Sequence, residues 1–375
     1  MIRINLKQKP KPTKLFYLKQ SLIILFAVLC TVSASAQSDT TASLVYFTRD
    51  ISPEAVMKIF EYVKPKQPGK VGIKVHFGEE GNTYFVPATM VQPLCSALNA
   101  TLIETNVAYK GRRAQTDTHI ELAKEHGFTF APIDILDEGG TLSLPIIGGK
   151  HYKTALIGKN IEKYETIIYF THFKGHGSAG FGGCIKNASM GMAIPKGKRD
   201  MHTNDFPETN NKNCVGCGVC VSDCPVNAIT LNPLTIDKEK CIGCGKCISS
   251  CHYSAINKPA NQLQQQRFLE GLVEYTKPVI ELKNSIYFNI IINVSASCDC
   301  MRNPKKPFIA DIGILVSTDI VAIEAAAHDL VDKAHNCNDA FLKENSVSGK
   351  HQINYAASMG LGNKNYILVD IDKKD

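Results

Sequence analysis

The sequence predicts an α/β protein, a core with a largely parallel sheet that is interrupted by a small cysteine-rich α+β domain. Three observations predict it. From Ala42 onward short β-rich runs alternate with helical stretches. Between about Asn204 and Pro259 the long periodic segments vanish, and cysteine, glycine and proline crowd together. Beyond Pro259 the alternation resumes, so the cysteine-rich stretch reads as an insertion: 37–203 form the first part of the core, 204–259 the inserted domain and 260–375 the second part.

Val71 to Phe77 (VGIKVHF) reads as a buried strand and Pro87 to Asn99 as an amphipathic helix carrying Cys95. Thr101 to Thr105 follows as a strand, and Thr116 to His126 as a helix stopped by Gly127. Ile167 to Phe173 is the next strand. After the insertion, Gln262 to Tyr275 predicts a helix, and Ile286 to Val294 (IYFNIIINV) a strand that returns to the core sheet. Phe308 to Val316 reads as a further strand, Ile320 to Ala334 as a helix, and Asn365 to Ile371 as a last short strand.

With 375 residues, 44% of them hydrophobic and 21% charged, the composition is that of a globular chain with a sizeable core. The formal charge of +7 gives no reason to expect nucleic acid as a partner. Six basic residues (Arg3, Lys7, Lys9, Lys11, Lys14, Lys19) and no acid fall in 1–36, which leaves +1 for the rest. This basic start, the apolar run Leu22 to Val32 and Ala34-Ser35-Ala36 have the pattern of a signal peptide, with cleavage expected after Ala36. Export, with a periplasmic mature chain, is therefore expected. The apolar run is short against the ~20 residues of a spanning helix, so an anchor through residues 22–32 is the alternative, and no stable span is expected in the mature chain. The n-region lacks the paired arginines of proteins exported already folded.

Eight of the fourteen cysteines form one repeated pattern. Cys214, Cys217, Cys220 and Cys224 have the spacing C-x2-C-x2-C-x3-C, and Cys241, Cys244, Cys247 and Cys251 repeat it. In a two-cluster bacterial ferredoxin, three cysteines of one motif wrap one [4Fe–4S] cluster and the fourth reaches across to the other. Cys214, Cys217, Cys220 and Cys251 are thus expected to hold one cluster, and Cys241, Cys244, Cys247 and Cys224 the second. Gly216, Gly218, Gly243 and Gly245 let the loops turn sharply and bring backbone N–H groups toward sulfur. Ala228-Ile229 and Ala255-Ile256, at matching positions after each fourth cysteine, supply an apolar shell. Four-cysteine zinc sites instead come as two C-x2-C pairs across a longer spacer.

Three further segments concentrate polar chemistry. Thr171 to Ala193 (THFKGHGSAGFGGCIKNASMGMA) carries His172 and His176 at i, i+4, Lys174, Lys186 and six glycines, and reads either as a glycine-rich loop packed against the cysteine-rich domain with its histidines solvated or as an anion- or cofactor-binding loop. Its G-x-G-x-x-G at Gly175, Gly177 and Gly180 lacks the helix and the distant acid of a dinucleotide site. Ser297-Cys298-Asp299-Cys300 ends an apolar strand, where two thiols and a carboxylate can bind a metal with His172, His176 or His202, or cycle as a redox pair, and where an exported chain can equally hold a strained vicinal-type disulfide or two free thiols. Lys74 and His76 read as surface residues.

Together VGIKVHFGEEGN (Val71 to Asn82), YKGRR (Tyr109 to Arg113), HFKGHGSAGFGGCIKNASMG (His172 to Gly191), SCDC (Ser297 to Cys300) and ADIGILVSTDIVAIEAA (Ala310 to Ala326) resemble the family catalogued as domain of unknown function 362, members of which often carry a ferredoxin insert. The resemblance implies one interrupted α/β domain. It also marks His172, Lys174, His176, Lys186, Asn187, Cys298, Asp299, Cys300, Asp311 and Asp319 as walls of a shared pocket. An electron carrier needs only the cysteine-rich domain, so the remaining bulk argues for an oxidoreductase with candidate catalytic residues His172, His176, Lys186, Cys298, Asp299 and Cys300. The alternative is a non-catalytic carrier that docks a membrane or periplasmic redox partner. The electron donor or acceptor is a protein or a small molecule in either case.

Overall fold

The computed structural model describes residues 42–202, 206–241, 243, 246–257 and 262–373, without the side chains of Ser249 and 262–264. The predicted leader (1–36) and Cys244 lie outside the described residues. Eight strands form the central sheet: β1 (Ser43–Thr48), β2 (Val71–Lys74), β3 (Thr101–Glu104), β4 (Ile133–Ile135), β5 (Thr166–His172), β6 (Asn284–Ile291), β7 (Gly313–Ser317) and β8 (Tyr366–Asp370). Their order is β8-β1-β7-β6-β5-β2-β3-β4. The sheet is largely parallel, as expected, and β7 alone runs against both its neighbours.

That reversal has a local cause. Between β6 and β7 there is no helix to carry the chain back across the sheet, so β7 returns beside β6 antiparallel. The predicted strand from Phe308 begins only at Gly313. Before it the Asp311 carboxylate accepts the Asn293 N–H at 2.7 Å, and the residues upstream serve as the wall of a loop.

All seven residues of β5 are buried, because helices cover both faces of the sheet. Ile167 and Tyr169 point to one core with helices Cys184–Ser189, Gln262–Leu282, Ile320–Ala334 and Lys350–Ser358. Ile168 and Phe170 point to the other, under helices Pro53–Phe60 and Ala88–Leu98. The helix ends follow local chemistry. Ser52 Oγ accepts the Ala55 N–H at 3.1 Å ahead of Pro53, and Gly127 takes φ +92° just beyond helix Thr116–Glu125. The helix after the insertion runs on past Tyr275 through Pro278 to Leu282. Among the described residues no helix is long and apolar enough to cross a membrane.

Residues 206–257 build short elements around a small core of their own. Glu208–Thr209 pairs with Ile256–Asn257, and Ile229–Thr230 with Thr235–Ile236, beside helices Val219–Ser222 and Lys246–Ser250. Ile229, Leu234, Ala255 and Ile256 are buried together with Cys220 and Cys247.

Candidate functional site

The carboxyl ends of β2, β3 and β5 open into one cavity of about 120 Å³. Open α/β sheets place ligands at this edge. β2 delivers Lys74 and, one step beyond, His76; β3 ends on Glu104; β5 ends on Thr171 and His172; the segment after it brings Lys174, His176, Lys186 and Asn187. Val107, Phe170 and Met190 give the same cavity apolar wall.

Lys74 corrects the sequence reading: its side chain is 1% exposed. Its Nζ donates to Glu104 Oε1 and to Asn187 Oδ1, both at 2.9 Å. Burial alone would raise the Glu104 carboxyl, yet Lys74, Arg113 and Lys198 overcome it and hold the group at about 2. Arg113 lies 3.9 Å from Glu104 and 3.7 Å from Glu79, and the Tyr109 hydroxyl donates to Glu79 at 2.9 Å. His76 is pushed well down by burial and by Arg113, Lys174, Lys74 and Lys186, so its ring is neutral. Its Nδ1 accepts the Gly78 N–H at 3.0 Å.

The second half of the site hangs from the loop between β6 and β7. His172 Nδ1 faces Asp299 Oδ1 and its Nε2 donates to the Ile292 carbonyl, each at 2.7 Å. Lys174 reaches Asp299 Oδ2 at 3.1 Å and donates to the His172 carbonyl at 2.9 Å. Burial opposes charge on Asp299, but His172 and Lys174 push its carboxyl far below the ordinary range. Both ring nitrogens of His172 are therefore engaged, and Asp299 is held between His172 and Lys174, so that these residues position the loop.

Beside them, Cys298 is pushed well below an ordinary thiol, first by the hydrogen bond from Cys300 and then, against burial, by Lys186 and Lys174. Cys300 is raised, first by its hydrogen bond to Cys298 and by burial. Lys186 Nζ lies 3.7 Å from Cys298 Sγ. His176, Cys298 and Cys300 bring their ligand atoms within 4.8 Å of one another, a set able to hold a metal ion. As placed, however, His176 Nδ1 accepts the N–H groups of Ser178 and Ala179, which leaves the ring proton on Nε2. His202 is not one of this trio, but it lines the same cavity and stacks on Phe268 at 4.8 Å.

The glycine-rich segment folds as a ribbon, Lys174–His176 against Gly180–Gly182. A Cβ on Gly175 would stand 2.6 Å from the Ser295 carbonyl, so the glycine lets this ribbon lie against the thiol-bearing loop. Asp311 and Asp319 are not pocket walls. Asp311 holds the Asn293 N–H, and Asp319 caps helix Ile320–Ala334 by accepting from Val321 and Ala322. Conversely, Glu104, Arg113, Lys198 and Arg199 line the cavity but were not singled out as site residues from sequence.

In the cysteine-rich stretch a separate cavity is walled by Cys214, Cys217, Cys220 and Cys251, three from the first motif and the fourth from the second. Cys224 and Cys251 have matching surroundings: Cys224 Sγ accepts the Ala228 N–H and Cys251 Sγ the Ala255 N–H, both at 3.2 Å. Gly216, Gly218 and Gly243 adopt φ of +71°, +78° and +63°. Cys241 Sγ accepts the Gly243 N–H at 3.5 Å, and Cys247 is buried in the helix that follows. Gly245 lies outside the described residues. Next to Cys247, Lys246 places Nζ over the Tyr109 ring, 4.3 Å from its centroid. Tyr109 is itself a wall of the main cavity.

Fold and site define a mixed α/β protein with a charged pocket at the carboxyl edge of its parallel strands and a cysteine-rich segment against that pocket. The chain belongs to the family described as Domain of unknown function (DUF362), whose model matches residues 71–329. No functionally curated protein matches it. Among solved structures it is similar to the lactate racemase apoprotein from Thermoanaerobacterium thermosaccharolyticum, at 13% identity and a TM-score of 0.36, over 66% of this chain and 50% of that one. The chain thus spans half the length of that protein.

Proposed function

We propose that this is an exported iron–sulfur redox protein, in which residues 206–257 form a ferredoxin-type insert exchanging electrons with a site in the α/β core. The observation that carries the reading is the contact of Lys246 with Tyr109, which sets the second cysteine motif one side chain away from the pocket that holds Cys300. Cys214, Cys217, Cys220 and Cys251 would hold one [4Fe–4S] cluster, and Cys241, Cys244, Cys247 and Cys224 the other. The four-thiol cavity, the N–H groups aimed at sulfur and the apolar residues after each fourth cysteine suit such a group. When bound, these clusters supply one-electron storage.

In the core, the chain's own chemistry centres on the thiol pair. Cys298 thiolate and Cys300 thiol form a two-electron couple: closing the S–S bond releases two electrons and one proton, and reopening it takes them back. Lys186 steadies the thiolate, while His172 and Lys174 clamp Asp299 between the two cysteines and fix the loop. The redox partner is a donor or acceptor protein or a small molecule.

Anaerobic purification with iron and sulfide analysis tests the reading. About eight iron and eight acid-labile sulfide per chain are expected for two such clusters, with a paramagnetic signal after reduction. Zinc without acid-labile sulfide overturns it. Substitution of Cys298 and Cys300 together is expected to leave the iron count unchanged and to abolish electron exchange with the core. Full activity in that variant removes the thiol pair from the mechanism.

A further inference from the structure

The main cavity has more positive charge than its own carboxylates answer. Six cationic side chains line it, Lys74, Arg113, Lys174, Lys186, Lys198 and Arg199, against the single carboxylate of Glu104. Counting carboxylates just behind the wall accounts for three of the six. Lys74 pairs with Glu104, Arg113 with Glu79 and Glu104, and Lys174 with Asp299. Among the described residues, Lys186, Lys198 and Arg199 have no carboxylate in contact. The Lys198 ammonium, 8% exposed, is held by neutral oxygens only: Thr105 Oγ1 and the Asn106 carbonyl at 2.6 Å, and the Ala193 carbonyl at 3.0 Å. Burial without a counter-ion in contact pushes the Lys198 ammonium down to about 7, and an anion entering the cavity favours its charged form again.

We propose that this cavity binds a small organic dianion, with two acidic groups on a short carbon skeleton, as the reactant of the thiol site. The inference rests on the reading of the pocket as the redox site, and it adds the substrate class. A cavity of about 120 Å³ limits the ligand to a small acid. Val107, Phe170 and Met190 give its carbon skeleton an apolar surface. Lys186 ties the anion site to the chemistry, since the same ammonium that meets the ligand lies 3.7 Å from Cys298 Sγ. Dicarboxylates and phosphate monoesters share the required chemistry. Lys186 answers the Cys298 sulfur at 3.7 Å, so among the described residues the two cations left without an acidic partner in contact, Lys198 and Arg199, stand on helix Pro195–His202 at one side of the cavity.

Isothermal titration of the full, anaerobically purified protein tests this, with succinate, glycerol 3-phosphate and the uncharged succinamide as probes. Saturable binding of at least one dianion and none of succinamide is expected, and the preferred dianion identifies the acidic group. Lys198→Met is expected to weaken binding roughly tenfold or more, the worth of one charge-assisted hydrogen bond. Arg199→Gln, an exposed position at the rim, is expected to weaken it without touching the fold and keeps the test decisive where Lys198→Met fails to fold. Equal heats for succinamide and the dianions, or dianion affinity unchanged in Arg199→Gln and in a folded Lys198→Met, overturns the proposal. Binding is read without electron transfer, so failure of the redox reading appears in the iron and sulfide analysis and failure of this one in the titration.

Discussion

Lys74→Met separates the charge network from the fold that holds it. In the native protein the Lys74 ammonium and Glu104 carboxylate are 1% and 2% exposed and 2.9 Å apart. With an effective dielectric of about 20 the attraction at that distance is about 6 kcal/mol before desolvation is counted. Removing one partner of a buried pair costs ~3–5 kcal/mol, because the other charge is left behind. Here Arg113, 3.9 Å from Glu104, keeps part of the compensation, so the lower end, about 3 kcal/mol, is expected. Asn187 also loses its 2.9 Å donor. Glu104→Gln strands Lys74 in the same way, whereas the double variant strands neither group. The two single losses are therefore expected to exceed the double loss by ~2 kcal/mol or more. Pulse proteolysis across a urea series under anaerobic conditions measures all four proteins. A loss below ~1 kcal/mol for Lys74→Met, or single losses that add within ~0.5 kcal/mol, would refute the view that this pair is the electrostatic keystone of the pocket floor.

Two further outcomes test the supports of the site. Glu324, fully buried and bonded to the Cys184 N–H and, at 3.3 Å, to Asn289, is raised by burial to about 7. A carboxyl raised in the folded state stabilises below its unfolded value and loses that contribution as pH climbs through the folded one. Between about pH 4.5 and 7 the native protein should thus lose up to ~3 kcal/mol through this group. Glu324→Gln should flatten that slope in urea midpoints taken at pH 5.5 and 7.5, and an unchanged slope would exclude Glu324 as its source. Gly175→Ala places a Cβ 2.6 Å from the Ser295 carbonyl and 2.7 Å from the Ala296 backbone, which neither strand of the contact can yield. A loss of ~2 kcal/mol or more is expected by thermal unfolding, and a melt equal to the native one would show that the ribbon shifts freely.

The α/β alternation was legible because β5 and its neighbours are buried on both faces and so read as continuous apolar runs. The antiparallel return of β7 was not, since strand direction depends on what lies between β6 and β7 and the sequence pattern there shows only a loop. Among site residues, the histidines, lysines and thiols of 172–186 and 298–300 stood out by density. Lys74 did not, because a lone lysine after a strand looks solvated until Glu104 from β3 is known to lie 2.9 Å away. Lys198 sits in Pro195–His202 (PKGKRDMH), a helix polar enough to read as a surface element, and only the packing of its ammonium against three backbone or hydroxyl oxygens removes it from water. A signal for Glu104 existed: an acid that ends an otherwise apolar strand stands where such sheets place their sites.

The contact between the cysteine-rich segment and the pocket follows from where that segment falls in the chain. β5 and β6 are adjacent and parallel, so the chain that leaves β5 at His172 must travel back to the opposite edge before β6 can begin at Asn284. The return is made by helix Gln262–Leu282, which ends two residues before β6. Residues 206–257 therefore belong, in chain order, to the connection that leaves β5 at its carboxyl end. The same edge receives the end of β6 and the loop with Cys298 and Cys300, because parallel strands finish together. The same segment placed after the return helix would emerge at the far edge, with the length of the strands between its cysteines and the thiol pair. Placed here, Lys246 reaches Tyr109 without any long loop, and the second cysteine motif abuts the pocket as a consequence of topology.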